Sequence, residues 1–531
     1  MFQAHIKQLL GEWQQFREGR RYLPWILGIL IVLAYGTRMV HDNIFLDSEL
    51  MIIQPALMQK TWITSSRFGM TLTSRLLGPG RLVPFWSAVM AALMMWTSGY
   101  FLSFCCFHWC GHSKTFCTFL YLLPALFVTS PLFAEQFLFI VQAFELSFAI
   151  LLSVSAAFCV GRYVYHEELF WLIPGLLSMV WAFGTYQSMV PLYISLVLIS
   201  FLLCYISGNS KNTLGYGLKH VVVFAAGCLL YLSAASLAKK FAASDSIYIE
   251  NQFHWGKDDV SVCIFYVREG IKSVLKGENI FFRKAYAPAA ALSSILAMVH
   301  GWKKRRGVLD YIWYLVGLGL FILSPFFLIL VTGWVLPLRT QLVYPLTSAF
   351  FMAFLTTWDQ ASLKKTPLGN LPSKLLSAVL ILFCVLGVIK NGRSMTQLYE
   401  TSWEAYRSDV LTANRLYSDI CHAAGDKDIL EYRVAFVGGR SAGLTDTAAR
   451  GELIGLSFFE AEAHTPGGIS GRVGHWFNTM GLKITTLNQG DQELYRELAS
   501  SVTGDPDWPR EGSITVKGDI IIVKLSDAFS P

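Results

Sequence analysis

Long apolar runs recur between residues 23 and 390 and limit the fold of this chain more than any other feature. A helix needs about 20 mostly apolar residues to cross the hydrocarbon core of a bilayer. We predict about eleven membrane spans, near residues 23–40, 83–107, 116–133, 137–160, 169–184, 187–206, 218–238, 285–300, 310–332, 338–357 and 373–390. The sequence therefore predicts a mainly α, polytopic membrane protein.

Composition and charge agree with this interpretation. Hydrophobic residues make up 54% of the chain and charged residues 15%, whereas soluble domains carry about 25% charged residues. The net charge of +7 would also suit a nucleic-acid-binding protein. Because the basic residues fall in short clusters between apolar runs, they instead follow the positive-inside rule. We expect membrane lipids, and no nucleic acid, as partners.

The same rule orients the chain. Lys7, Arg17 and Arg20 precede the first span, so the N-terminus is predicted to be cytoplasmic. Another basic cluster, at residues 303–306, falls in a loop that this orientation also places inside. An odd number of spans then puts the C-terminal region on the opposite side. We predict a transmembrane domain at residues 1–392 and a soluble external domain at 393–531.

The predicted soluble domain has an ordinary charge density and mixed secondary-structure signals. A helix is expected first, at residues 395–423. Strands are expected at 433–437 and 482–487, a helix at 494–502, and a hairpin at 513–525 around Lys517-Gly518-Asp519. These elements predict a small α/β domain.

Two long loops are predicted on the external side. In the first, residues 50–77 mix apolar and polar residues and suit helices lying in the membrane interface. The second, residues 241–283, is aromatic and polar. The sequence leaves open whether this loop covers a membrane-facing cavity or is simply solvated.

Three carboxylates follow the first span directly: Asp42, Asp47 and Glu49. In an extended segment Asp47 and Glu49 project to the same side, and in a helix Asp42 and Glu49 share a face. Two such acids suit a general base for a hydroxyl group, or ligands for a divalent cation beside a phosphate. The alternative is that they are solvated residues marking the outer edge of a span.

Other polar residues occupy external span ends. Arg67 and Arg339 suit bidentate binding of a lipid phosphate, or alternatively snorkel to the headgroups. Glu145 lies deeper in a span, where an ionisable group is a functional candidate. Four more polar residues are predicted near the same side: Glu135, Gln136, Tyr186 and Gln187.

The ten cysteines do not form a recognisable metal or disulfide pattern. Cys110, His112 and Cys117 are close in sequence, but their spacing is irregular for a metal site. Cys263 and Cys421 fall in predicted external segments and could pair, although nothing in the sequence requires it. We predict no metal site from the sequence.

Several of these motifs together resemble the serotype-converting O-antigen glucosyltransferases of bacteria and phages (Gtr type II-like). That family lies within the lipid-linked-sugar glycosyltransferases of the glycosyltransferase C fold. The resemblance is carried by residues 42–49, 62–69, 131–137, 186–188, 337–339, 432–438 and 455–459.

The resemblance implies a membrane enzyme of the bacterial inner membrane with a periplasmic C-terminal domain. Its donor would be a polyprenyl phosphate carrying one sugar, often glucose, which a synthase makes in the cytoplasm and a flippase delivers. Its acceptor would be a lipid-linked O-antigen or similar glycan. Asp47 or Glu49 would be the base or a donor-binding group, with Asp42 supporting.

The resemblance also implies that Arg67 and Arg339 contact the phosphate. The residues Glu135, Gln136, Tyr186 and Gln187 would line the site. A divalent cation is neither required nor excluded, because arginines alone can neutralise a monophosphate leaving group.

Two other functions were weighed. A flippase or transporter of a lipid-linked glycan would place charged groups along a path through the bilayer and often show internal repeats. Here most ionisable residues cluster on one side, and no repeat is visible. A membrane acyltransferase would need a partnered histidine; His41, His108 and His300 lack an evident partner in the sequence.

Overall fold

The computed structural model describes residues 2–209, 212–242, 250–358, 370–463, 465, 467–487 and 490–527. Most of these residues are helical. The first eleven α-helices are α1 Phe2–Gly19, α2 Leu23–Val40, α3 Ser48–Ile53, α4 Pro55–Thr64, α5 Phe68–Leu77, α6 Pro84–Trp109, α7 Cys117–Val128, α8 Leu132–Phe137, α9 Ile140–His166, α10 Leu172–Thr185 and α11 Met189–Ser207.

The remaining helices and the strands follow in the second half of the chain. The helices are α12 Thr213–Ala242, α13 Val260–Lys276, α14 Tyr286–Lys304, α15 Val308–Leu323, α16 Phe327–Thr332, α17 Val343–Phe354, α18 Asn370–Ala424, α19 Gly468–Thr479 and α20 Gln492–Ser501. The strands are β1 Arg433–Val437, β2 Thr485–Thr486, β3 Ile514–Lys517 and β4 Ile520–Lys524.

The helices bear out a membrane protein. Each predicted span overlaps a helix. Within the described residues, seven helices are long and apolar enough to cross a membrane: Leu23–Val40, Pro84–Trp109, Ile140–His166, Met189–Ser207, Thr213–Ala242, Val308–Thr332 and Lys374–Ala424. Three other apolar helices have only 10–17 residues. The predicted span at 285–300 falls in α14, which is not among the seven. The total of about eleven spans stays a prediction.

The helix α9 lies at the centre of the bundle. An apolar stretch of 18 residues in α9 is 78% buried, against 22% for the corresponding stretch of α12. The helix α9 packs on α6, α10 and α11. Small residues allow close approach: a Cβ on Gly175 of α10 would lie 3.0 Å from Val160 of α9. Small residues at helix crossings are the usual means of close packing in membranes.

The helix α18 connects the bundle to the C-terminal region without a break. Its 55 residues include both the last predicted span and the helix predicted at 395–423. The predicted domain boundary at 392/393 therefore falls inside a continuous helix, and the division into two domains stays a prediction.

The C-terminal region contains a four-stranded sheet in the order β2-β1-β4-β3. The strand β1 is parallel to β2 and β4, whereas β3 and β4 form the predicted antiparallel hairpin. Gly518 turns the hairpin at a φ of 62°, which glycine adopts without strain. The strand predicted at 482–487 is shorter than expected, and α19 was not predicted.

The cysteine hypotheses can be checked directly. Cys263 and Cys421 are both free thiols, so the pair left open by the sequence is not bonded. Cys110 is buried and Cys117 exposed. Within the described part of the chain, Glu12, His108 and His112 come close enough together to share a metal ion.

Candidate functional site

A polar cavity of about 810 Å³ opens where α2 ends and where α9 and α11 begin. Residues from distant parts of the chain line it, including α4, the turn before α5, α16 and α19. Five of the predicted site residues are on its surface: Asp47, Arg67, Tyr186, Gln187 and Arg339. The structure thus brings together carboxylate and guanidinium groups that lie nearly 300 positions apart in the sequence.

The loop between α2 and α3 places Asp47 at the cavity. Arg38 donates hydrogen bonds to the Asn43 side chain at 2.6 Å and to its carbonyl oxygen at 2.9 Å. The Asn43 amide in turn donates to Ser402 of α18 at 2.9 Å. These bonds fix the loop between the first span and α18, so Asp47 arrives at a defined position.

Asp47 has an unusual conformation for its place in the sequence. It precedes the first residue of α3 with a φ of 70°, and its carboxylate does not cap the helix. An aspartate at this position normally accepts a hydrogen bond from the first turn. Here the carboxylate is turned towards the cavity instead, where it meets an arginine from the C-terminal region.

That arginine is Arg472 of α19. Its Nη1 atom lies 2.9 Å from Asp47 Oδ1 and 2.7 Å from Glu49 Oε1, and its Nη2 atom lies 2.9 Å from Glu462 Oε1. Burial lowers the pKa of the guanidinium, but the three carboxylates outweigh this and raise it above its usual value. Arg472 is therefore a permanent cation shared by three acids.

Glu49 and Asp47 have different environments. The Glu49 side chain is fully buried, whereas 37% of the Asp47 side chain is exposed. Burial raises the pKa of Glu49, although Arg472 opposes this effect. Its Oε2 atom has no hydrogen-bond partner among the described residues. Asp47 is the carboxylate that a ligand in the cavity can reach, and Glu49 lies behind it.

Asp42 does not join this pair. The structure places it on the exposed side of the loop, outside the cavity lining. The four residues directly after it, 43–46, are buried. The expectation that Asp42 supports catalysis stays a prediction, and its position does not favour it.

Two arginines, Arg67 and Arg339, also line the cavity. The Arg67 guanidinium is 4.9 Å from the centre of the Tyr186 ring, and its Nε donates to Gln187 at 3.4 Å. The Arg339 guanidinium is 5.1 Å from the centre of the Phe139 ring. Stacking on aromatic rings holds a guanidinium in place while its N–H groups stay directed at a ligand.

The position of Arg67 depends on a close contact between α5 and α10. A Cβ on Gly69 would lie 2.5 Å from Thr185 Oγ1 and 2.6 Å from the carbonyl oxygen of Trp181. A Cβ on Gly184 would likewise meet the ring of Phe68. Glycines at both positions let the turn carrying Arg67 rest directly against the residues before Tyr186.

Replacing Gly69 by alanine is therefore expected to separate α5 from α10. Overpacking of this kind costs about 1–3 kcal/mol of stability, and it would move Arg67 away from the cavity. We expect a lower unfolding temperature in detergent and weaker binding of an anionic ligand. Gly11→Ala in α1 is the matched control, because a Cβ there meets no atom within 4 Å. Equal unfolding temperatures for the two variants would contradict the contact.

Glu135 and Gln136 lie on α8, outside the cavity lining. Glu135 accepts a hydrogen bond from the backbone N–H of Leu453. Nearby, Glu452 accepts one from the N–H of Leu338 at 2.6 Å. These carboxylates join the C-terminal region to the helix bundle. The Gln136 amide is fully buried and has no partner among the described residues. Their role as site residues stays a prediction.

Glu135 also makes stability depend on pH. Burial raises its pKa from 4.5 to about 7. A carboxyl group with a raised pKa stabilises the folded state below its unfolded pKa, and this contribution is lost as the pH rises through the folded value. We expect the unfolding temperature of wild type to fall, relative to Glu135→Gln, between about pH 4.5 and 8. Parallel profiles for the two proteins would contradict this.

Several cavity residues were missed by the sequence analysis: Gln142, Glu462, Arg472, His475 and Thr486. The cavity surface formed by Glu462, Arg472, His475 and Thr486 belongs to the C-terminal region. Burial, and then the charge of Arg472, lower the pKa of His475, so this ring is neutral near pH 7. No local pattern marks these residues, because their relevance depends on contacts with Asp47 and Glu49.

A second cavity, of about 540 Å³, lies beside the first and is almost entirely apolar. Side chains of α11, α12, α15 and α16 line it. The helix α16 contributes a different face to each cavity: Leu328 and Thr332 line the polar one, and Phe327 and Leu330 line the apolar one.

Of the comparisons with known proteins, the one with family models gives a match. No curated protein and no solved structure matches the chain. The family model described as "Glucosyl transferase GtrII" matches residues 36–357, which is more than half of the 531-residue sequence. That range includes Asp47, Arg67 and Arg339, but it ends before Arg472. The chain belongs to the GtrII glucosyl transferase family.

Proposed function

We propose that this membrane glycosyltransferase transfers a single sugar, glucose in the first instance, from a polyprenyl-phosphate donor to a lipid-linked glycan on the periplasmic side. The observation that carries the proposal is the polar cavity, which is lined by Asp47, Arg67 and Arg339 together. An acid and two cations around one space suit a reaction that deprotonates a hydroxyl and releases a phosphate.

The donor is assigned to the surface formed by the two arginines. Guanidinium groups match phosphate oxygens in bidentate geometry. The apolar cavity on the other face of α16 supports a lipid-linked donor, because it offers a polyprenyl chain an apolar surface close to the polar cavity that would hold its phosphate. A nucleotide sugar would have no use for that apolar surface.

In the proposed reaction Asp47 acts on the acceptor. Its carboxylate accepts the proton of an acceptor hydroxyl while the hydroxyl oxygen forms a bond to the anomeric carbon of the sugar. The bond between that carbon and the phosphate oxygen breaks, and both electrons leave with polyprenyl phosphate. Arg67 and Arg339 stabilise the charge on the departing phosphate, and Asp47 then loses its proton to water.

The choice of donor can be tested with the purified full-length chain in detergent. Transfer of radiolabelled glucose to a lipid-linked glycan is measured with polyprenyl-phosphate-glucose or with UDP-glucose as donor. The proposal expects transfer from the lipid donor alone. Transfer from UDP-glucose at an equal or higher rate would overturn the assignment of the donor.

A further inference from the structure

We propose that Arg472 is a positioning residue of this site. It holds the Asp47 carboxylate in its reactive place, so that the C-terminal region completes a site that the family-matched range alone does not form. The inference rests on the proposed function and deepens it. Its first support is geometric: one guanidinium contacts Asp47, Glu49 and Glu462 at 2.7–2.9 Å.

The backbone of Asp47 shows why a partner is needed. Its φ of 70° lies in the left-handed region, which few residues other than glycine adopt. Such a conformation persists when surrounding contacts fix it. The carboxylate receives no hydrogen bond from its own helix, and its ion pair with Arg472 supplies a contact that keeps it directed at the cavity.

Arg472 is itself held in place by a well-packed core. Trp476, one helical turn after it, stacks on Phe458 with ring centres 4.5 Å apart and planes 2° apart. Phe458 in turn packs against Phe45 in the loop before Asp47, and the centres of these two rings are 5.6 Å apart. On the same helix, a Cβ on Gly474 would lie 2.5 Å from Thr486. The helix α19 therefore cannot shift without disturbing both the sheet and the Asp47 loop.

The charge balance separates a positioning role from a phosphate-binding role. Arg472 already contacts three carboxylates, one of them on a fully buried side chain. Moving it to a phosphate would leave Glu49 as a buried charge without its partner, which is strongly unfavourable. Arg67 and Arg339 line the same cavity and stack on the rings of Tyr186 and Phe139. We assign the phosphate to those two residues and the carboxylates to Arg472.

The kinetic test uses the full-length protein and two substitutions of Arg472. Arg472→Met is expected to lower kcat by about 100-fold with less than a threefold change in KM for polyprenyl-phosphate-glucose. Arg472→Lys keeps the charge and should lower kcat by a smaller factor.

Two further variants serve as controls. Arg433→Met removes a partly exposed ion pair with Asp519 in the same region and should behave like wild type. Arg472→Met combined with Glu49→Gln removes the buried acid that would be left without its partner, so its unfolding temperature should return towards that of wild type. Wild-type kcat in Arg472→Met would overturn the proposal, as would a large rise in donor KM with kcat unchanged.

A second readout does not depend on the donor. Carbodiimide modification of Asp47, followed by mass spectrometry, measures how freely its carboxylate reacts. We expect several-fold faster modification in Arg472→Met but not in Arg433→Met. If Arg472→Met folds poorly, Arg472→Lys replaces it, and faster modification is expected there as well. Equal modification rates in all four proteins would overturn the positioning role, even if the donor proved to be different.

Discussion

Asp47→Asn is expected to reduce sugar transfer by about 10²–10⁴-fold, the range that a general base contributes. The amide has nearly the same shape and can still accept a hydrogen bond from Arg472, but it cannot take a proton from the acceptor hydroxyl. The loss should appear in kcat, while KM for the lipid donor stays close to the wild-type value. Initial rates over a range of donor concentrations measure both constants.

The matched control is Asp446→Asn, an exposed aspartate of the C-terminal region outside the cavity lining. It should transfer sugar at the wild-type rate. If Asp47→Asn retains full activity while Glu49→Gln loses it, the base would be the buried carboxylate instead. Such a result would contradict the assignment made from the exposure of the two side chains.

Replacing the two arginines that we assign to the phosphate, Arg67 and Arg339, is the second change with a large expected effect. Arg67→Met and Arg339→Met should each reduce kcat/KM for the donor by about 10–100-fold, and the double variant by more than either. The reason is that each removes a cation from the same developing negative charge. KM for the acceptor glycan should change little, because the acceptor approaches from the Asp47 side.

Arg75→Met is the control for these variants. Arg75 lies on α5, as close in sequence to Arg67 as any exposed arginine, but its guanidinium bonds to Gln59 and does not line the cavity. It should leave the donor kinetics unchanged. If the Arg67 and Arg339 variants keep the wild-type kcat/KM for the donor, the phosphate binds elsewhere. Arg472 would then be the next residue to test.

The sequence predicted those features that local patterns determine. Apolar runs of sufficient length become helices in a membrane, so each predicted span overlaps a helix. Carboxylates directly after a span must lie near the bilayer surface, and Asp47 does lie at the cavity. Arg67, Tyr186, Gln187 and Arg339 share the cavity because loops and helix ends on one side of a bundle converge.

The remaining features depend on contacts between distant residues. Arg472 is 425 positions from Asp47, and nothing near it in sequence distinguishes it from a solvated arginine. Glu135 was expected to face the cavity because its loop returns to the same side. Its carboxylate instead bonds to a backbone N–H 318 positions away, which no periodic pattern can indicate.

The left-handed backbone of Asp47 is also beyond the sequence. Aspartate before a helix predicts a capping hydrogen bond, and only the presence of α19 explains why the side chain turns away. The exposed position of Asp42 is also beyond the sequence, because the hydrogen bonds of Asn43 to Arg38 and Ser402 fix which side of the loop faces inwards. The carboxylates could be found from the sequence, but their separate roles could not.

The most direct test of the account is sugar transfer by purified wild type and Asp47→Asn in proteoliposomes containing polyprenyl-phosphate-glucose and a lipid-linked glycan. Flipping of the donor is measured in the same vesicles. The account predicts glucosylated glycan with wild type, at least 100-fold less with Asp47→Asn, and equal flipping in vesicles with and without protein. Protein-dependent flipping without any glucosylated product would contradict the account and indicate a transporter.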